Sequence, residues 1–346
     1  MRLSADSQIN ESSVYERYLF MRNYDISDMK YKELEAADLG RLSYYYGLRS
    51  QKSCDGSPLV SYLYKYYYEV RYCEFEGEAL LMSYHGENGE VYGFLPLCRE
   101  EDMPRFMKLQ EEYFNKTLGI PLVISSADEE GVLALNNAGA LDEYELIKEE
   151  DISDYIYSGD ALRTLAGRKY SKKRNHINKF LLQYEGRWEY RKLGYADHEE
   201  VESFLNCWMK KKKLSDQGSG VNEEGQSFDP SEELDGEYRG IKGLINEEVV
   251  YEYMKIGGIY IDNKLKAFSI GVKSEACSMA IIDVEKADSG IDGLYQMINK
   301  EFLCHEFPDV ELVNREDDVG IEGLRQSKLS YYPSEFEYKY TLTQKM

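Results

Sequence analysis

The stretch that decides the fold runs from Gly258 to Val313 and reads GIYIDNKLKAFSIGVKSEACSMAIIDVEKADSGIDGLYQMINKEFLCHEFPDVELV. Two strand-like segments flank residues 262–264 (DNK), a turn-forming triplet that predicts a β-hairpin. A third strand is predicted at Cys277–Val284. Apolar residues at helical spacing then predict a helix over Ile291–Phe307, followed by a short buried strand at Val310–Val313. This order predicts a sheet with at least one helix packed on it.

The same order of elements occurs earlier in the chain. Asn88-Gly89 predicts a hairpin before a strand at Val91–Leu97, a helix follows over Glu100–Leu118, and Pro121–Ser125 reads as a buried strand. In each half a short helix and a further strand come next, at Asp128–Asn137 and Tyr144–Tyr157, then at Gly320–Leu329 and Phe336–Leu342. The repetition predicts a tandem α/β fold, with two mixed central sheets flanked by helices. We place the two units at residues 1–157 and 158–346, with a mobile acidic loop at 215–235.

Composition narrows the classes of protein that fit. The 346 residues carry a formal net charge of −22, which opposes binding to DNA or to nucleic acid in bulk. The six cysteines are scattered without a CxxC pair, as expected for reduced thiols in a cytosol. The first residues lack the apolar segment of a signal peptide, and no run is long enough for an integral membrane segment. We therefore expect a cytoplasmic protein, of an oligomeric state that the sequence leaves open.

One segment contradicts the overall charge. Between Asp160 and Glu185 there is no acidic residue, although seven Lys and Arg residues fall there (Arg163, Arg168, Lys169, Lys172, Lys173, Arg174 and Lys179). We call residues 161–184 the basic segment. Ile177, Phe180, Leu181 and Tyr184 share one face of a predicted helix over Ser171–Tyr184. The segment either binds a negatively charged donor substrate or is the solvated face of a helix. The candidate donor-binding residues are Lys169, Lys172, Lys173, Arg174, Asn175 and His176.

A second cluster of polar residues follows the buried strand of the second unit. Residues 314–318 read NREDD, and sites in α/β sheets commonly lie beyond strand ends. Glu316 or Asp318 is the candidate general base or ammonium ligand. Asn314 and Arg315 are candidate substrate-binding residues, Arg315 because a guanidinium binds phosphate or carboxylate in a bidentate manner. A salt-bridge network at the strand end explains the same residues without a function.

Two further side chains extend the candidate site, and each has a structural alternative. Gln296 and Asn299 lie three apart on the last long helix and either line the cleft or bond backbone groups. No P-loop, dinucleotide fingerprint, HExxH or GxSxG motif is present, so neither a metal nor a tightly bound cofactor is predicted.

The order of elements resembles the GNAT acyltransferase unit, occurring twice. Three motifs then resemble the family of the phosphatidylglycerol lysyltransferase C-terminal domain, over roughly residues 30–342. They are GRKY with KKRNHINKF at 167–180, EKAD with GLYQMINKEF at 285–302, and NREDD with GIEGLR and KLSY at 314–331. The resemblance implies a tandem GNAT fold related to enzymes that move an aminoacyl group from tRNA to an amine or hydroxyl. Tyr331, or its neighbour Tyr332, is a candidate to protonate a leaving group by its resemblance to a tyrosine of GNAT acyltransferases, although packing explains a tyrosine equally well in a chain with Tyr 32.

The resemblance leaves the donor open between a CoA thioester and an aminoacyl-tRNA, whose acceptor end would then be a partner. In GNAT enzymes a loop rich in Gly and basic residues holds the CoA pyrophosphate. The corresponding loop here, DSGIDG at 288–293, has two glycines and two aspartates. Two hypotheses therefore remain: an acyl or aminoacyl transferase, or a binding protein without catalysis that uses the same scaffold to sense an anionic ligand.

Overall fold

The computed structural model describes residues 24–215, 220–221, 227–228 and 230–345. Within them, thirteen strands form one mixed sheet with helices against it. In the first half of the chain the strands are β1 (Lys32–Glu33), β2 (Glu69–Phe75), β3 (Ala79–His85), β4 (Val91–Gly93), β5 (Leu97–Cys98), β6 (Val123–Asp128) and β7 (Tyr144–Ser158). In the second half they are β8 (Trp188–Lys192), β9 (Gly220–Val221), β10 (Ser227–Phe228), β11 (Lys255–Ile261), β12 (Lys264–Lys273), β13 (Met279–Ala287), β14 (Leu312–Asn314) and β15 (Glu335–Gln344).

The helices fall between these strands. They are α1 (Leu39–Tyr46), α2 (Pro58–Tyr64), α3 (Met103–Tyr113), α4 (Glu129–Asn137), α5 (Gly159–Thr164), α6 (Ser171–Gln183), α7 (His198–Ser215), α8 (Pro230–Asn246), α9 (Leu294–Glu306) and α10 (Glu322–Leu329). The elements predicted for both halves are confirmed, with ends that shift by a few residues. Among the described residues, no helix is both long and apolar enough to cross a membrane.

The two halves share one sheet, whereas the sequence predicts two. The strand order is β1-β2-β3-β4-β6-β15-β7-β14-β13-β12-β11-β8, with β5 paired to β3. Strand β7 pairs with β15 on one side and with β14 on the other. The last strand of the chain therefore lies among strands of the first half, and hydrogen bonding continues across the junction. The α/β fold class with a mixed sheet flanked by helices is confirmed, and the separation into two sheets is wrong.

The predicted acidic loop at 215–235 is corrected in part. Helix α8 begins at Pro230, so residues 230–235 are its first turns rather than a loop. Residues 220–221 and 227–228 pair as a short antiparallel ladder. The other loop residues lie outside the described part of the chain.

The site is positioned by the way in which β13 and β14 diverge. These parallel neighbours pair at three positions, the last of which joins Ile281 to Asn314. Beyond that pair β13 continues to Ala287, while the chain after β14 stays beside β7: the Arg315 N–H donates to the Tyr155 carbonyl and the Tyr155 N–H donates to the Glu316 carbonyl. The strands are therefore no longer paired with each other, and we call the region between them the gap.

Candidate functional site

Two carboxyl side chains, Asp283 and Glu316, come together where β13 and β14 diverge. The ladder between β12 and β13 shifts register between Ile270 and Gly271, and the shift leaves Asp283 without a cross-strand partner. A bulge of this kind re-aims a side chain and is common beside active sites. Asp283 is 7 % exposed, and within the described residues neither of its carboxyl oxygens has a hydrogen-bond partner.

Burial and mutual repulsion keep a proton on this pair. Burial raises the pKa of Asp283 to about 8. Burial also raises the pKa of Glu316 well above its usual range, and the neighbouring Asp283 carboxyl adds to that effect. Two like charges in one enclosed space cannot both form cheaply, so the pair behaves as a single group that takes up and releases a proton.

The backbone at Glu316 is held in an unusual conformation. Its φ is 56°, in the left-handed region that costs a residue with a side chain about 1–3 kcal/mol. The Asn314 side chain accepts a hydrogen bond from the Glu316 backbone N–H at 2.7 Å. The Glu316 carbonyl accepts one from the Tyr155 N–H at 3.1 Å and one from Lys328 Nζ at 3.3 Å. The strain persists because these contacts over-determine the turn, which aims the Glu316 side chain towards β13.

The residue before Glu316 is the cationic Arg315, whose guanidinium faces a different set of side chains. The Arg315 guanidinium lies 4.8 Å from the ring centre of Tyr331 and 5.8 Å from that of Tyr157. Its Nη2 donates to Glu285 Oε1 at 3.2 Å, and Asn299 Nδ2 donates to the other oxygen of Glu285 at 3.0 Å. Arg315 Nη1 is buried and has no hydrogen-bond partner among the described residues. Buried donors are normally paired, so this nitrogen is a candidate to bind a substrate acceptor.

The basic segment reaches this group through Lys173. Its Nζ donates to Ser330 Oγ at 2.7 Å and lies 3.8 Å from the ring centre of Tyr331. Burial, with a smaller contribution from the Arg315 charge, lowers the pKa of Lys173 to about 8. The Tyr331 ring thus lies between Lys173 and Arg315. An anion that contacted both cations would be bound favourably.

The other cations of the basic segment do not join this site. Arg174 Nη1 donates to the carbonyls of Leu165 and Gly167, the latter at 2.7 Å, and so closes the end of α5. His176 Nδ1 lies 2.5 Å from Asp292 Oδ1. Lys169 lies over the Tyr170 and Tyr332 rings, and Lys172 and Asn175 are exposed. A donor-binding role for these five residues stays a prediction, and the geometry gives Arg174 a structural contact instead.

Asp318 and Asn314 are occupied by structural contacts. The guanidinium of Arg325 donates to both oxygens of Asp318 at 3.1 and 3.0 Å, and the Tyr155 hydroxyl donates to it as well. Burial opposes ionisation of Asp318, but the bonds from Arg325 and Tyr155 outweigh it and lower the pKa. Such a carboxylate is a poor base, so the geometry favours Glu316 of the two candidates.

Asn314 donates through Nδ2 to the Lys52 carbonyl and to Asp154, both at 2.8 Å, and therefore orients Glu316 rather than a substrate. Tyr331 lies between the two cations, and its pKa is raised by burial, so the hydroxyl keeps its proton. Gln296 is half-buried on α9. The roles of Tyr331, Gln296 and Asn299 in substrate binding or catalysis stay predictions.

Sequence reasoning missed Asp283, Glu285 and Lys328 as members of the site. Asp283 carried a usable signal, because it interrupts the apolar run MAIIDV of a strand that is buried on both faces. Glu285 and Lys328 lie within the motifs quoted above, yet neither had a pattern that separates a buried charge from a solvated one.

Aspartates occupy the loop that precedes α9. Asp288 Oδ1 accepts a hydrogen bond from the Gly290 N–H at 3.2 Å, and Lys211 Nζ lies 3.0 Å from both Asp288 oxygens. Asp292 pairs with His176 at the other end of the loop. Carboxylates therefore take positions at this helix start where a phosphate would otherwise bind.

Comparison with known proteins identifies the family. The model of the phosphatidylglycerol lysyltransferase C-terminal family matches residues 51–343. The chain belongs to this family. One curated relative, an uncharacterised protein of Mycoplasmoides gallisepticum, is 26% identical over 188 residues, which span 54% of each chain. The match thus covers about half the length of that relative.

Solved structures share the fold at low sequence identity. A conserved protein of unknown function from Bacteroides thetaiotaomicron has a TM-score of 0.78 and 23% identity, covering 92% of this chain and 100% of that chain. L-PGS from Bacillus licheniformis has a TM-score of 0.60 and 15% identity, over 91% and 93% of the two chains. FemX has a TM-score of 0.56 and 8% identity, over 92% and 98%. At these identities the structures establish a shared fold.

Proposed function

We propose that the chain is an aminoacyl transferase whose reaction takes place where β13 and β14 diverge. The observation that carries the proposal is the turn after β14, where Arg315, with an unsatisfied buried donor, directly precedes Glu316, the partner of Asp283 in the proton-holding pair. Transfer of an acyl group to an amine or hydroxyl needs a base for the acceptor and cations for the donor's phosphate and the developing oxyanion. Two consecutive residues of this turn supply one group of each kind.

The chemical step assigns one role to each group. The acceptor N–H or O–H gives its proton to the ionised member of the Asp283–Glu316 pair as its lone pair attacks the acyl carbonyl carbon. Arg315 and Lys173 neutralise the phosphate of the donor and the charge that grows on the carbonyl oxygen. The bond from the acyl carbon to the donor oxygen then breaks, and that oxygen takes up the proton that the acidic pair received, so the pair returns to its starting state; Tyr331 stays the candidate hydroxyl for relaying this proton.

The donor that the site fits best is an aminoacyl-tRNA rather than a CoA thioester. A CoA pyrophosphate would have to displace Asp288 and Asp292 from the start of α9, together with their partners Lys211 and His176. An aminoacyl-tRNA needs no pyrophosphate site at the start of α9, and the phosphate of its terminal nucleotide suits Lys173 and Arg315.

Binding and single-turnover transfer test the proposal. We expect aminoacyl-tRNA to bind at micromolar concentration with a strong salt dependence, and CoA and acetyl-CoA to bind far more weakly. Lys173→Ala should weaken binding, whereas Lys172→Ala, the matched exposed neighbour, should change it little. Glu316→Gln should retain binding but slow transfer to a primary amine about 100-fold, as loss of a general base does.

Three outcomes contradict this assignment. Tighter binding of CoA than of aminoacyl-tRNA would make the donor a thioester. Binding of the tRNA without any transfer, in wild type and Glu316→Gln alike, would favour a binding protein that senses an anionic ligand. Equal effects of Lys173→Ala and Lys172→Ala on binding would favour the alternative that the basic segment is a solvated helix face without a role in binding.

A further inference from the structure

Lys328 is unusual among the residues of its helix. Most side chains of α10 are exposed, yet Lys328 turns inwards towards the turn after β14. Its Nζ donates to the carbonyl oxygens of both Arg315 and Glu316. These two carbonyls lie on either side of the left-handed φ of Glu316. A single ammonium therefore bonds both ends of the strained turn.

The same ammonium is the main positive charge beside the acidic pair. Lys328 lowers the pKa of Glu316 against the combined effects of burial and Asp283. The charged and titratable groups that face Lys328 and Glu316 come from four elements and their flanking turns: Asp283 on β13, Asp154 and Tyr155 on β7, Arg315 and Asp317 after β14, and Cys54 before α2. Two further cations face this group: Arg315, which pairs with Glu285, and Lys339 on β15, which pairs with Asp154 and lies near Asp317. Burial, and then the Arg315 charge, lowers the pKa of Lys328, while Glu316, Asp317 and Asp154 favour its charged form.

We propose that Lys328 is a positioning residue that fixes both the direction of the Glu316 side chain and the pH at which the Asp283–Glu316 pair gives up a proton. This inference rests on the proposed function for its biological meaning, because a general base must be partly ionised at working pH. The inference does not depend on any substrate. The two bonds from Lys328 to carbonyls set the geometry of the Glu316 turn, and the Lys328 charge changes the proton affinity of the Glu316 carboxyl.

Separating charge from hydrogen bonding tests the inference. Lys328→Gln keeps a donor without a charge, Lys328→Arg keeps the charge, and Lys328→Met removes both. The infrared absorption of protonated carboxyl groups, followed against pH, reports the pair directly, and the band lost in Glu316→Gln identifies Glu316. We expect the midpoint of that band to rise by about 1 pH unit or more in the Gln and Met variants, because a nearby opposite charge shifts a carboxyl by about 1–3 units. The Arg variant should keep the wild-type midpoint.

The outcomes are distinct from those of the functional test. An unchanged midpoint in Lys328→Gln overturns the inference even if the protein transfers aminoacyl groups. An equal shift in Lys328→Arg also overturns it, because the effect would then follow packing and not charge. A shifted midpoint in a protein that binds no aminoacyl-tRNA supports the role of Lys328 while the proposed function fails.

Discussion

In both halves of the sheet, two parallel strands pair briefly and then diverge. The side chains at the matching positions differ in polarity. In the first half the parallel strands β4 and β6 pair at Gly93 and Ile124 and then diverge. In the second half β13 and β14 diverge after Ile281 and Asn314. Ser126 lies two residues after Ile124, and Glu316 lies two residues after Asn314. Both have a left-handed backbone conformation, with φ of 54° and 56°.

The side chains at matching positions decide what each gap can do. Leu95 lies two residues after Gly93 in the first half, and Asp283 lies two residues after Ile281 in the second. Both side chains are buried. The first half is tightly packed at the pairing position, where a Cβ on Gly93 would meet Gln110 at 2.6 Å and Leu122 at 2.9 Å. In the second half the matching carboxyl, Asp283, has both oxygens unpaired among the described residues. The proposed reaction therefore uses the second half.

A third matching position explains why Asp318 is structural. Four residues beyond the last pair stand Asp128 and Asp318, and each is bound by an arginine, Arg49 in the first half and Arg325 in the second. The contact recurs in the half without a candidate site. It belongs to the shared architecture, where it anchors the start of α4 in one half and the turn before α10 in the other.

The largest effect should come from breaking the junction between the halves. Lys339 on β15 is 1 % exposed and pairs with Asp55 at 2.8 Å and Asp154 at 2.9 Å. Lys339→Met leaves two buried carboxylates unpaired, so we expect the free energy of unfolding to fall by about 3–5 kcal/mol in urea denaturation. Lys345→Met, in an exposed contact on the same segment, is the control. A loss under about 1 kcal/mol would show that the junction tolerates unpaired charge.

Exchanging counterparts between the gaps should change stability in opposite directions. Leu95→Asp buries a carboxyl in an apolar site and should cost about 3 kcal/mol or more, as expected for lost core packing with an unpaired polar group. Asp283→Leu removes such a group and should raise the free energy of unfolding by about 1 kcal/mol while abolishing transfer. Urea denaturation and the transfer assay measure both. Loss of stability in Asp283→Leu would mean that Asp283 has a structural partner.

A second proton-holding carboxyl, Glu337 on β15, lies against residues of the first half, and its effect should be on stability alone. Oxygens of Asp128, Glu130 and Glu337 lie within 4.8 Å of one another. Burial, then the Glu130 charge, raises the pKa of Glu337 to about 9. The folded state thus keeps a proton that the unfolded chain releases near pH 4.5, and stability falls as pH rises between these values.

Glu337→Gln should remove that pH dependence. Relative to wild type, the variant should gain about 1–2 kcal/mol in free energy of unfolding at pH 8 and little at pH 4. Binding of aminoacyl-tRNA should stay the same, in contrast to the site variants. A pH-independent difference between variant and wild type would rule out a shared proton as the cause.

The smallest effect distinguishes two neighbouring cations of the basic segment. Arg174→Ala frees the carbonyls at the end of α5 and should lower the free energy of unfolding by about 1 kcal/mol. Lys172→Ala should leave stability within about 0.5 kcal/mol, as surface substitutions do. Thermal unfolding measures both. Equal stability of the two variants would restore Arg174 as a candidate donor-binding residue.

Local patterns were sufficient to predict most elements and two parts of the site. The DNK hairpin, the helix at Leu294–Glu306 and the buried strand before Asn314 follow from turn chemistry and periodicity, which act over a few residues. The cluster at 314–318 and the basic segment were visible as interruptions of composition. Which of their members meet was not visible, because Arg174 and Lys173 are adjacent in sequence and face different partners.

The sequence by itself determined the order of strands and helices, the family resemblance, and the kinds of charge that the second half carries. Only the tertiary structure decided that one sheet spans both halves, that β15 closes it, and that Asp283 lies against Glu316 with Lys328 beneath the turn. The physical reason is that periodicity records which side of an element is buried. It does not record which buried charges from distant segments share one enclosed space, and that proximity is what changes their proton affinity.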